Sequence, residues 1–157
     1  DISLMLNSLQ ERLQKLEDKE AITTMLHDYC LACDTHDFER FGSKFTEDGV
    51  LHFKAWGQVQ GPKAIAEATR VEGAIEGLQH SITNLQIELT SETTASATAY
   101  LIFYAAPVIS SPFECYSFGG PYEFEFRKTA EGWKIVRHAL SRSWAMGNDP
   151  LANETSA

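Results

Sequence analysis

Basic charge is scarce in this chain and nowhere clustered: 13 Lys and Arg stand against 22 Asp and Glu in 157 residues, a formal net charge of −9. A nucleic-acid backbone would find no cationic stripe to dock on, so no nucleic-acid partner is expected. Long apolar runs are also missing. None approaches the roughly 18 residues of a membrane span, so no membrane role is expected. No signal-peptide pattern opens the chain, and a start at Asp1 is compatible with trimming. Cysteine is sparse and odd in number (Cys30, Cys33 and Cys115), which gives no disulfide framework and points to a reducing, cytoplasmic setting. No linker, repeat or low-complexity stretch divides the sequence. Residues 1–157 are therefore read as a single domain, large enough to bury a core.

Cys30-Leu-Ala-Cys33 has the spacing of a redox or zinc motif. A zinc site needs a second ligand pair that the sequence does not offer, and a redox pair belongs at a strand-to-helix turn. Both cysteines fall inside a helical pattern, where they read as small buried hydrophobes. His27, His36, His52 and His138 show no carboxylate-plus-histidine spacing, so no metal is expected.

Leu6, Leu9, Leu13 and Leu16 form a stripe on a leucine-rich helix over residues 2–16, too short for a stand-alone coiled coil. It is expected to pack on the domain or on a neighbouring subunit. Asp18 is placed to cap a second helix running to about Thr35, with Ile22, Met25, Leu26, Tyr29 and Cys33 on its inner stripe. Asp37 can cap a short third helix with Phe38, Phe41 and Phe45 inward. A turn over 46–49, a strand over 50–56 and a second short strand between Gly57 and Gly61 follow. Pro62 opens a helix, and residues 72–77 read as a loop. Strands are expected over 80–89, with a bulge or phase change, over 94–105, about 122–126, and from Trp133 to about Trp144. The polar tail 147–157 is expected to be loose. Helices first and antiparallel strands after make an α+β pattern.

Tyr29, Asp34, Asp37-Phe38 and Phe41 stand in the order found in the segment that carries the catalytic Asp of the SnoaL-like lyases. Gly57-Gln-Val-Gln-Gly61-Pro62 resembles their hairpin-to-helix junction, and His80-Ser-Ile-Thr-Asn84 the strand start holding their catalytic His. Gly119-Gly-Pro-Tyr122 and Gly132-Trp-Lys-Ile135 resemble their last two strands. Each motif is loose alone, but their order and spacing over roughly Glu17 to Met146 are similar to the SnoaL-like group of the NTF2-like superfamily. That group includes polyketide cyclases, scytalone dehydratase, bile-acid dehydratases and a dehydrochlorinase.

The resemblance implies a cone of N-terminal helices packed on a curved antiparallel sheet around one deep pocket. It implies elimination without a cofactor on a small hydrophobic ring compound, with His80 as base and Asp34 as its partner. Removing a proton from carbon while a neighbouring group leaves needs a base of near-neutral pKa, which is what a His–carboxylate pair supplies. Tyr29 is a candidate for holding the leaving oxygen, and Arg142 for binding an anion. By strict alternation Arg142 and Arg137 fall on opposite faces of the last strand. Phe53, Trp56, Phe103 and Tyr104 are candidate walls.

The pattern also departs from the dehydratases. Where they add a polar residue on the strand after the histidine strand, this chain has Leu101, Ile102 and Phe103. The tyrosine that scytalone dehydratase carries on its first long strand is matched at best by Phe53. Isomerisation or aldol-type cyclisation in the same pocket is the enzymatic alternative. A non-catalytic ligand carrier, or a subunit like the β chain of ring-hydroxylating dioxygenases, is the other. A dimer or trimer is expected, because a curved sheet leaves one broad face to cover.

Overall fold

In a computed structural model, residues 1–53, 57–111 and 113–152 are described. The chain opens with α1 (Ile2–Asp34), a single 33-residue helix capped by the Asp1 side chain, which accepts from Ser3 N at 3.0 Å. No Gly or Pro interrupts these residues, so the break expected at Asp18 does not occur. Asp18 is buried mid-helix instead. Its Oδ1 accepts from Trp133 Nε1 at 3.0 Å, Lys128 Nζ at 2.8 Å and Gln14 Nε2 at 3.2 Å. Burial pushes this carboxyl up, but the hydrogen bonds and the Lys128 charge outweigh it and hold the group below its ordinary value. Asp18→Ala would leave the Trp133 indole N–H without this acceptor. A loss of about 1–3 kcal/mol is expected in denaturant titration. An unchanged midpoint would show that the contact does not anchor the helix.

Before Asp18 the leucine stripe faces solvent: Leu6, Leu9, Leu13 and Leu16 are all exposed. The leucine stripe therefore does not pack on its own domain. No helix among the described residues is long and apolar enough to cross a membrane.

α1 stops because His36 takes a left-handed conformation (φ 61), with Asp37 N bonding Ala32 O and His36 N bonding Cys33 O. This pair of bonds closes a Schellman turn. Asp37 then caps α2 (Phe38–Gly42) through Arg40 N at 3.2 Å. The remaining elements are β1 (Phe45–Phe53), β2 (Gly57–Gln60), α3 (Pro62–Thr69), a 3₁₀ turn (Arg70–Ala74), β3 (Gly77–Leu89), β4 (Thr94–Ala106), β5 (Tyr116–Thr129), β6 (Gly132–Leu140) and β7 (Trp144–Met146). Residues 46–49 thus belong to a strand rather than a turn, and the register against β6 shifts between Phe45 and Val50. The loop expected over 72–77 is partly the 3₁₀ turn, with Glu72 buried in it.

The sheet runs β2-β1-β6-β5-β4-β3, with β7 paired to β5. Its pairs are antiparallel except β1 with β6, so the curved sheet is mixed rather than purely antiparallel. β1 enters from the helices and not from a hairpin with β6, which leaves its direction free to be parallel. The phase change expected in β3 lies between Thr83 and Gln86, where Asn84 has φ 54.

Alternation sets the inner face. Ala95, Ala97, Ala99, Leu101, Phe103 and Ala105 of β4 are buried, and with β5 and β6 they meet Ile22, Leu26, Tyr29 and Cys33 of α1 in one core. The outer face carries Tyr100 and Tyr104, so Tyr104 is not a pocket wall.

Candidate active site

The turn at His36 fixes where α1 ends, and so where the Asp34 carboxylate lies: at the start of β3. A negative charge at a helix C-terminus faces the orphan carbonyls and is disfavoured there. Donors from β3 offset this. The backbone N of His80 lies 3.0 Å from both Asp34 oxygens, and His80 Nδ1 is 2.6 Å from Oδ1. An ionised carboxylate can only accept, so Nδ1 donates to it, and in the neutral ring Nε2 holds the lone pair. The imidazole leans on Phe103, with ring centroids 4.8 Å apart, and lines a cavity of about 270 Å³.

That cavity is mostly apolar. Leu51, Phe53, Ile75, Leu101, Phe103 and Phe118 are among its walls. Phe53 and Phe103 thus stand where the sequence expected them, while Trp56 lies outside the described residues. Arg142 also reaches the cavity, but not from a strand. β6 ends at Leu140, and Arg142 sits in the link to β7. Its guanidinium lies 4.7 Å from the Phe118 ring and 5.1 Å from Phe53, and it pairs with Asp149 at 3.4 Å. The glycines allow this return. A Cβ at Gly120 would sit 1.9 Å from Ser141 O, and one at Gly119 would sit 2.5 Å from the Trp144 ring. Residues 149–152, placed in the loose tail by the sequence, line the cavity here.

Tyr29 is in the cavity wall, but its hydroxyl is already engaged. Oη lies 2.9 Å from His138 Nδ1. Burial raises the phenols of Tyr29 and Tyr122 well above their ordinary range. His138 was weighed in the sequence only as a metal ligand and not as part of this site. It is fully buried, stacked on Phe124 at 4.2 Å and edge-on to Tyr122 at 4.3 Å. Burial first, and the charge of His80 second, lower its pKa to about 3, so it is a neutral ring at physiological pH.

Two further residues were missed as site residues. Cys33 is the buried small residue expected, but its Sγ also donates to Glu72 Oε2 at 2.9 Å. Burial, then the Glu72 carboxylate, push this thiol well up, and burial and then Asp34 push Cys30 up to about 12. Neither offers a ready thiolate for redox chemistry. Ligating atoms of Cys33, Glu72 and His80 all lie within 4.8 Å of one another. As arranged, the thiol keeps its proton and directs it at the carboxylate.

A family model described as a SnoaL-like domain matches residues 14–139. Terrestric acid biosynthesis cluster protein E of Penicillium crustosum is 32% identical over 138 residues, covering 85% of this chain and 88% of that protein. Among solved structures, a candidate scytalone dehydratase from Novosphingobium aromaticivorans superposes with TM-score 0.78 at 21% identity, covering 87% of this chain and 91% of the other. A hexachlorocyclohexane dehydrochlorinase from Novosphingobium barchaimii superposes with TM-score 0.76 at 16% identity, covering 88% and 95%.

Proposed function

Since this chain belongs to the SnoaL-like family and has the NTF2-like cone, we propose that it is a lyase working without a cofactor, with His80 as the base and Asp34 as its partner. One observation carries this reading: His80 is held through Nδ1 by a carboxylate while its ring lines an apolar cavity. The substrate is a small hydrophobic ring compound with an acidified C–H next to a leaving group. Nε2 takes the proton from carbon, the C–H electron pair becomes the double bond, and the leaving group departs with its own pair. A departing hydroxide recovers the proton from the imidazolium and leaves as water. A departing halide leaves as the anion, and the imidazolium proton passes to solvent. Asp34 fixes the ring and stabilises the imidazolium, an interaction strengthened where water is excluded. The names of two solved relatives, a dehydrochlorinase and a candidate scytalone dehydratase, support the reaction class.

The relative from a biosynthesis cluster favours a second reading. There the same base would act on a biosynthetic intermediate, and the carbanion would isomerise or close a ring instead of expelling a group. Mass spectrometry of hydroxylated and halogenated ring ketones incubated with the protein separates the two. Loss of water or hydrogen halide supports elimination, and an isomer of unchanged mass supports the second reading. No change in any compound that binds the cavity would leave a carrier or subunit role.

A further inference from the structure

We propose that Glu72 selects the substrate of this cavity: its carboxyl, oriented by the Cys33 thiol, accepts a hydrogen bond from a substrate hydroxyl seated beside His80, so the protein takes hydroxylated rather than halogenated rings. This rests on the lyase reading and narrows its substrate class. Glu72 reaches the cavity because α3 tightens into the 3₁₀ turn after Thr69, which turns the side chain inward. A carboxyl at 8% exposure, among Ile75, Leu101 and Phe103, is costly unless hydrogen-bonded. Among the described residues its side chain receives one hydrogen bond, from a thiol, which is a weak donor. The nearby Thr69 hydroxyl does not help, since it donates back to Ile65 O and Ala66 O within α3.

The spacing suits a ligand. With a Glu72 oxygen and a His80 ring nitrogen within 4.8 Å, one substrate atom, or two bonded ones, can meet both at hydrogen-bond distance. A hydroxyl satisfies Glu72 by donating. A carbon-bound chlorine has no hydrogen to donate and sets one electron-rich atom against another. A site that hydrogen-bonds a hydroxyl discriminates against the analogue lacking it, because its polar group is then left unpaired.

Phenol and chlorobenzene test this, because neither can eliminate and binding is read apart from turnover. Their affinities are measured by NMR titration. The phenol-to-chlorobenzene affinity ratio is expected to fall about tenfold or more in Glu72→Leu, less in Glu72→Gln, whose amide oxygen still accepts, and measurably in Cys33→Ala. A ratio unchanged in a folded Glu72→Gln and Glu72→Leu pair overturns the proposal. So does binding of neither probe to the wild type. Stoichiometric zinc binding, abolished by both Cys33→Ser and Glu72→Gln, also overturns it by making the trio a metal site. Selection without any turnover would retain Glu72 as selector and drop the lyase reading, and turnover without selection would do the reverse.

A different observation carries a second inference. We infer that residues 2–17 pair in parallel with the same segment of a second copy of this chain. Ile2, Leu6, Leu9, Leu13 and Leu16 repeat at alternating steps of four and three, an a/d seam, and each is exposed. In that frame Asp18, which ties α1 to the domain, is at the f position opposite the seam. Arg12 falls at g and Glu17 at the following e, the pair that meets across a parallel seam. Continuity with the anchored half of α1 supplies the order that so short a segment lacks alone.

Sedimentation from micromolar to sub-millimolar protein should show a dimer, lost in Leu9→Lys/Leu13→Lys. Arg12→Glu should weaken it, and Arg12→Glu/Glu17→Arg should restore it. A monomer throughout, or an oligomer that survives the double lysine variant, overturns the pairing. Failure of the second charge change to restore the dimer overturns the parallel register.

Discussion

His80→Ala is expected to lower turnover by roughly 10²–10⁴-fold, the usual contribution of a positioned general base. The loss should fall on kcat more than on KM, because Nε2 works on a proton that moves in the transition state. Asp34→Asn should cost a comparable factor by a different route. The carboxylate holds the proton on Nδ1 through a 2.6 Å contact. An amide that turns its NH₂ toward Nδ1 offers no acceptor, so the ring keeps its proton on Nε2 and loses the lone pair that faces substrate. The two losses should not add in the double variant, because the residues act as one unit. Full additivity would mean that Asp34 acts through something other than His80.

The second large effect is on stability in acid. His138 has a pKa of about 3 in the fold because it is buried, against an ordinary value of 6.5. The unfolded chain takes up a proton at this histidine below about pH 6.5, whereas the folded chain does not until about pH 3. In that window the unfolded state binds more protons, so stability rises with pH. The contribution is complete above pH 6.5 and is lost as pH falls toward 3, with a limiting slope of about 1.4 kcal/mol per pH unit. His138→Gln cannot titrate, so its urea midpoint should fall less between neutral pH and pH 4 than the wild type's. Identical slopes in the two proteins would mean that the ring takes up its proton at the same pH in the fold as in the unfolded chain.

Why the sequence concealed His138 is a matter of register. Strict alternation from Trp133 and Ile135 turns Arg137 inward and His138 outward. The pairing of β5 with β6 passes from Phe126–Ile135 to Glu125–Arg137 and skips Val136, which reverses the parity. His138 becomes buried and Arg137 exposed. A single extra residue in one strand leaves no mark in composition.

Asp34 and His80 were legible because each sits where a local rule puts it, one at the end of an apolar helical stripe and the other at the start of a strand. Their meeting was legible only through the family resemblance, because no local pattern spans 46 residues. Glu72 was hidden by its setting. A charged residue among Gly and Ala after a proline-started helix reads as loop, and only the 3₁₀ turn brings it inside. Asp18 was read as a cap because an acid between two apolar stripes looks like a boundary. With no helix breaker beside it and an indole on β6 to bind, it became an internal anchor.

The most direct test of the account is proton abstraction itself. Ring compounds shown by NMR to bind in the cavity would be incubated in D₂O with wild type and with His80→Ala, and analysed by mass spectrometry. The account predicts that at least one loses water or hydrogen halide, or exchanges carbon-bound hydrogen for deuterium, with the wild type and not with the variant. Bound compounds that show neither change with the wild type, or that exchange equally with His80→Ala, would contradict it.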